Sequence, residues 1–117
     1  MHKGLFAAVI FAMVFASPVH AEGSGGALLE ICTSTDATST AACRTYIHGV
    51  AETLHIWLDV DPETVRACIP ASVSEDQLKD VLVRYLKKKQ NIDGWSGAMV
   101  MVRAWAEEWP CGGPRRR

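Results

Sequence analysis

The sequence contains no C-x-x-C pair, no G-x-S-x-G elbow and no glycine-rich phosphate loop. The first absence argues against zinc-ribbon and thioredoxin chemistry, both of which use that spacing. The second and third remove the commonest local signatures of a serine nucleophile and of a nucleotide site. Charge of one sign is also missing: 12 lysines and arginines face 13 aspartates and glutamates. That balance leaves no electrostatic footprint for nucleic acid. Beyond the first residues there is no long hydrophobic run, and no strand-period alternation stands out.

What is present starts with MHKGLFAAVIFAMVFASPVHA. Lys3 supplies a positive n-region, and Leu5 to Ala16 is an apolar run of about a dozen residues, the length of an h-region. Ser17-Pro18 breaks the run, and Val19-His20-Ala21 suits a signal peptidase. The run is too short to span a hydrocarbon core of ~30 Å. The expectation is a signal peptide over 1–21, cleaved after Ala21, with export to the periplasm and no membrane anchor afterwards. A flexible lead-in follows over 22–26, then one helical domain over 27–111 and a basic tail over 112–117. Cleavage removes one lysine and no acid, leaving a net charge of −2.

Periodicity and caps predict an all-α fold, a small antiparallel bundle of about four helices. Ala27 to about Cys32 reads as a short helix, and TSTDATST after it as a polar loop. The second helix is the clearest. Cys43, Tyr46, Ile47, Val50, Leu54, Trp57 and Leu58 follow a helical rhythm, opposite a stripe of Arg44, His48, Glu52, His55 and Asp59. Asp61-Pro62 is N-cap and N1 chemistry, so DPETVRAC is expected to form a short helix or turn. Ser74 and Gln77 form a capping box, flanked by Val73 and Leu78 as a staple. The third helix then carries Leu78, Val81, Leu82, Tyr85 and Leu86 on one face. The fourth runs from about Ser96 to Glu108, with Trp95, Ala98, Val102, Trp105 and Trp109 as its main face. Met99, Val100 and Met101 make it apolar nearly all round, which demands a sandwich or a partner, so a homodimer through the fourth helix is one expectation.

Four cysteines in an exported small domain imply two disulfides, and sequence alone allows three connectivities. Antiparallel geometry favours Cys32 with Cys43 across the polar loop. It also favours Cys68, just before the third helix, with Cys111, just past the end of the fourth.

His48, Glu52 and His55 share a helix face and could in principle surround a metal. The same stripe holds Arg44 and Asp59, so the plain reading is a solvated face with no metal and no cofactor. No catalytic residue is assigned. Lys88, Lys89, Gln90, Asn91 and Asp93 form a polar inter-helix loop and are the candidate partner-binding residues.

The order of motifs resembles a known family. Cys43-x-x-Tyr46-x-x-Gly49 is followed by Cys68-x-Pro70, a capped SEDQL, Tyr85-Leu86, and Trp109-Pro110-Cys111. This is similar to the Rap/Tai family of small periplasmic immunity proteins, over roughly 28–111. The resemblance implies a helical, disulfide-bonded, often dimeric inhibitor of a type VI secretion effector that cleaves peptidoglycan amide bonds. It implies that the chain occupies the cleft of that partner, a secreted cell-wall amidase, and protects its producer. The chain departs from the family pattern at Lys87-Lys88-Lys89-Gln90 and at Glu52. The alternative class is a small periplasmic acid chaperone of the HdeA type.

Overall fold

The structure, a computed structural model, describes residues 24–112. The expected signal peptide and nearly all of the basic tail lie outside the described residues.

Four helices follow one another: α1 (Gly25–Thr33), α2 (Ala37–Val60), α3 (Glu75–Lys88) and α4 (Gly97–Glu108). Each begins at a side-chain cap. Ser24, Asp36, Ser74 and Ser96 accept from the backbone N–H of Ala27, Ser39, Gln77 and Met99 respectively. These bonds satisfy amide donors that the first turn of any helix leaves without a partner.

Two boundaries differ from the sequence expectation, and one open alternative is decided. The lead-in expected over 22–26 is helical from Gly25, and Gly25 is buried. Its amide donates to Trp95 O at 3.2 Å, and Ser24 pairs with Ser96. A Cβ at Gly25 would lie 2.8 Å from the carbonyl oxygen of Ile92. Close approach, not flexibility, is what this glycine provides. The polar loop shrinks to Ser34–Asp36, because Asp36 caps a helix that runs straight through the following threonines and serine. DPETVRAC, expected as a short helix or a turn, is a turn leading into extended chain.

That extended chain explains itself by period. Val65, Ala67 and Ile69 are buried while Thr64, Arg66 and Pro70 are exposed, the alternation of a strand face. Ala67 bridges Pro110, and the Cys68 amide donates to Trp109 O at 2.8 Å. Among the described residues this pairing never widens into a sheet.

The core gathers one side of every helix. Leu28, Ile47, Leu82, Val100, Met101 and Trp105 are almost wholly buried. Trp105 finds its required partner at Leu78 O, 3.1 Å from its indole nitrogen. The face of α4 keeps the expected Trp105 but is otherwise rotated from the expected one. Val100, Met101, Ala104 and Trp105 point inward, while Ala98, Val102 and Trp109 are half-buried. The apolar girdle of α4 is mostly consumed within the monomer, by contacts to α1, α2 and α3. On α2, Cys43, Ile47, Ala51 and Leu54 face the core, but Trp57 is 48% exposed rather than buried.

Disulfides join Cys32 to Cys43 and Cys68 to Cys111, with Cα–Cα distances of 5.1 and 4.8 Å. Closing loops of 11 and 43 residues removes chain entropy worth about 3 and 4 kcal/mol. A domain this small is stable by only about 5–10 kcal/mol, so these cross-links matter.

Candidate partner-binding surface

The α3–α4 turn carries the loop residues singled out in the sequence, and the structure divides them. Lys87 and Lys88 complete the last turn of α3, opposite Glu75 and Asp76 in its first turn, a charge order that complements the helix dipole. Asn91 has φ 60°, a left-handed conformation that asparagine tolerates better than most residues. Ile92 next to it is buried and plugs the loop onto α1. Lys88, Gln90 and Asn91 are exposed on the solvent side of this plug. Asp93 faces the first turn of α1, close enough that a Cβ on Gly26 would meet its carboxylate. Lys89 turns the other way, 3.6 Å from Glu107 and over the ring of Tyr85. The five residues thus belong to three different environments.

Lys89 opens onto a cleft of about 680 Å³. Its walls carry Arg66 from the extended connection and Arg103 from α4, with Tyr85, Trp95 and Met99 beneath them. The Arg103 guanidinium lies 4.5 Å from the centroid of Trp95. Sequence reasoning missed Arg66 and Arg103 as site residues. The one local signal was the alternation around Arg66, which puts its side chain outward between Val65 and Ala67.

The second feature is apolar. A groove of about 780 Å³ runs between α2 and α4, floored by Ala42, Tyr46, Gly49, Val50, Ala98 and Val102. Gly49, inside α2, has nothing within 4 Å of a Cβ placed on it, so it widens this groove and does not serve a close helix crossing. Beyond the groove, α2 continues outward with Ile56, Trp57 and Val60, all exposed.

The polar stripe of α2 resolves into a clamp. His48 sits between Glu75 and Glu52, with its Nδ1 3.0 Å from one carboxylate and its Nε2 3.3 Å from the other. Arg44 reaches the second oxygen of Glu75 at 3.3 Å. The arrangement ties α2 to the first turn of α3, and all these side chains are solvent-accessible, so it contributes little to stability. His55 is not part of it. Among the described residues no set of three such ligands is arranged to hold a metal ion.

Residues 24–111 match the model of the Rap1a immunity proteins. The match begins at the N-cap of α1 and ends at the last disulfide cysteine, so it covers the whole four-helix unit. No curated protein and no solved structure matches the chain.

Proposed function

The chain belongs to the Rap1a immunity protein family, and from that premise we propose that it is exported and inhibits a peptidoglycan-cleaving amidase delivered by type VI secretion. The observation that carries this reading is the family match over residues 24–111. The 1–21 leader pattern and the two disulfides support a periplasmic setting, since such cross-links persist in oxidising compartments. The mature domain would then begin after Ala21 and work as a stoichiometric binder, not as a catalyst. Its loop at Lys88, Lys89, Gln90, Asn91 and Asp93 lies at the edge of the contact with the enzyme.

Self-association fits the exposed apolar surface. Ile56, Trp57 and Val60 on α2 remain 62%, 48% and 69% exposed. A homodimer would cover them, using α2 in place of α4.

The test uses the oxidised mature chain as bait in periplasmic extract, followed by titration of any captured amidase on purified peptidoglycan. The expected result is equimolar, saturable loss of amide cleavage, with sedimentation of the same mixture reporting whether the complex holds one or two copies of the inhibitor. Capture of a diffuse set of unfolded proteins that grows as pH falls would replace this reading with the acid chaperone.

A further inference from the structure

The cleft between α4, the end of α3 and the extended connection holds three cations, Arg66, Lys89 and Arg103, against one carboxylate, Glu107. Lys89 takes that carboxylate. Arg44 and Arg84 each have a glutamate within 4.0 Å. Among the described residues neither Arg66 nor Arg103 has one. The two guanidiniums without an ion-pair partner therefore open onto the same cleft.

Both sides of the cleft are also pre-ordered. The Arg103 guanidinium lies over the Trp95 ring, a cation–π contact that restrains the side chain. Lys89 lies 5.3 Å from the centroid of Tyr85. The backbone that carries Arg66 is held from behind, because Ala67 pairs with Pro110 and Cys68 is bonded to Cys111, while its side chain is exposed. Side chains already ordered lose less entropy when a partner arrives. Between the cations, Trp95 and Met99 present apolar surface that is half-buried and exposed respectively. The groove on α2 has no such charge, since its lining is alanine, valine, threonine, tyrosine, glycine and leucine.

We infer that this cleft docks an acidic segment of the effector, with carboxylates on Arg66 and Arg103 and an apolar side chain between them on Trp95 and Met99. The inference rests on the effector-binding reading above and gives it a surface and a partner chemistry. Guanidinium forks bind carboxylates in pairs of parallel hydrogen bonds, which sets orientation as well as attraction. The connection carrying Arg66 is held to the end of α4 by the Ala67–Pro110 pairing and the Cys68–Cys111 bond, which sets the distance between the two sides of the cleft.

The test compares an Arg66→Gln/Arg103→Gln variant with an Arg44→Gln/Arg84→Gln variant, which removes the same charge elsewhere. Thermal melts by circular dichroism establish that both fold. Each is titrated with the amidase captured by the wild type, at low and raised salt. Each is also titrated with the synthetic peptide Asp-Leu-Glu-Phe-Asp and its Asn/Gln counterpart, read by the indole N–H resonance of Trp95. The cleft variant is expected to bind the amidase about ten- to a hundredfold more weakly and with a flatter salt dependence. The control is expected to match the wild type. The acidic peptide should move the Trp95 resonance saturably in the wild type and the control, and the amide peptide should not. Equal amidase binding by the cleft variant and the wild type overturns the inference and leaves the immunity reading standing. Failure to capture any amidase defeats that reading instead. The peptide titration then decides the cleft alone, and a Trp95 response indifferent to the carboxylates overturns it.

Discussion

The connection over 61–74 and helix α3 over Glu75–Lys88 are adjacent and of equal length, yet they are held in opposite ways. Helix α3 is specified locally. Ser74 and Gln77 satisfy each other's backbone amides at 3.2 and 2.8 Å, acids open the helix, and lysines close it. The connection has two single turns, closed by Thr64 N–H to Asp61 O and Val73 N–H to Pro70 O, and its backbone pairing beyond those is to the end of α4. Its shape depends on a partner far along the chain and on the Cys68–Cys111 bond. One stretch would begin to fold alone, and the other exists only once the bundle has closed.

The strongest way to break that contrast is to remove the cross-link. A Cys68→Ala/Cys111→Ala variant is expected to lose about 4 kcal/mol of stability, measured by denaturant unfolding. Helix content at low denaturant should stay near that of the wild type, because α3 does not draw on the bond. Hydrogen exchange should rise selectively at the Cys68 amide, which now donates to Trp109 O. Uniform exchange protection across 61–74 in this variant would sink the idea that the bond holds the connection.

The same contrast explains how far the residues alone could be read. The start and end of α3 are legible from Ser74, Gln77 and the lysine run, since each signal acts within one turn. The four-helix order and the all-α class follow from such local agreement. The connection stayed open between helix and turn because Asp61-Pro62 is good helix-start chemistry, whereas the extended chain after the turn is marked only by Val65, Ala67 and Ile69. Three alternating positions, one of them alanine, are a weak strand signal. Ile69 before Pro70 is also biased away from the helix by a local steric clash. The face of α4 was read correctly at Trp105 but displaced around it, because Trp95, Ala98, Val102 and Trp109 share helical spacing with Trp105 as well as the truly buried residues do. Packing between three other helices instead selected Val100 and Met101. In the cleft, Lys89 was visible as part of a polar loop, while Arg66 and Arg103 meet only through topology.

A smaller effect sharpens the local half of the comparison. Ser74→Ala removes one side of the capping box, leaving the Gln77 amide without its acceptor. The expected loss is about 1 kcal/mol, with the midpoint of denaturant unfolding lowered and its slope unchanged. Ser74→Asp should restore most of the loss, since an aspartate also caps well and favours the positive end of the helix. A failure of aspartate to rescue would show that the serine acts through packing near Val73.

The smallest expected effect distinguishes the caps of α3 and α2 by pH. The Asp36 carboxyl is held below its ordinary range chiefly by the backbone N–H of Ser39, then by the Ser39 hydroxyl and the Thr38 amide, with a slight opposing push from burial. A carboxyl whose pKa is lower folded than unfolded stabilises the fold at pH values above its unfolded pKa. That contribution is lost as pH falls through the folded pKa, because the unfolded chain then binds no more protons than the folded one. Asp36→Asn keeps a capping oxygen and removes the titration. The variant should be slightly less stable than the wild type at neutral pH, and the gap should close below about pH 4. Ser74 does not ionise, so the gap between wild type and Ser74→Ala should be the same across that range. Urea titrations of the variants at stepped pH give both curves. A constant gap for Asp36→Asn would mean that the charge contributes nothing beyond the hydrogen bond. The cap of α2, which lies between the two cysteines of the shorter disulfide loop, would then be as insensitive to acid as the cap of α3.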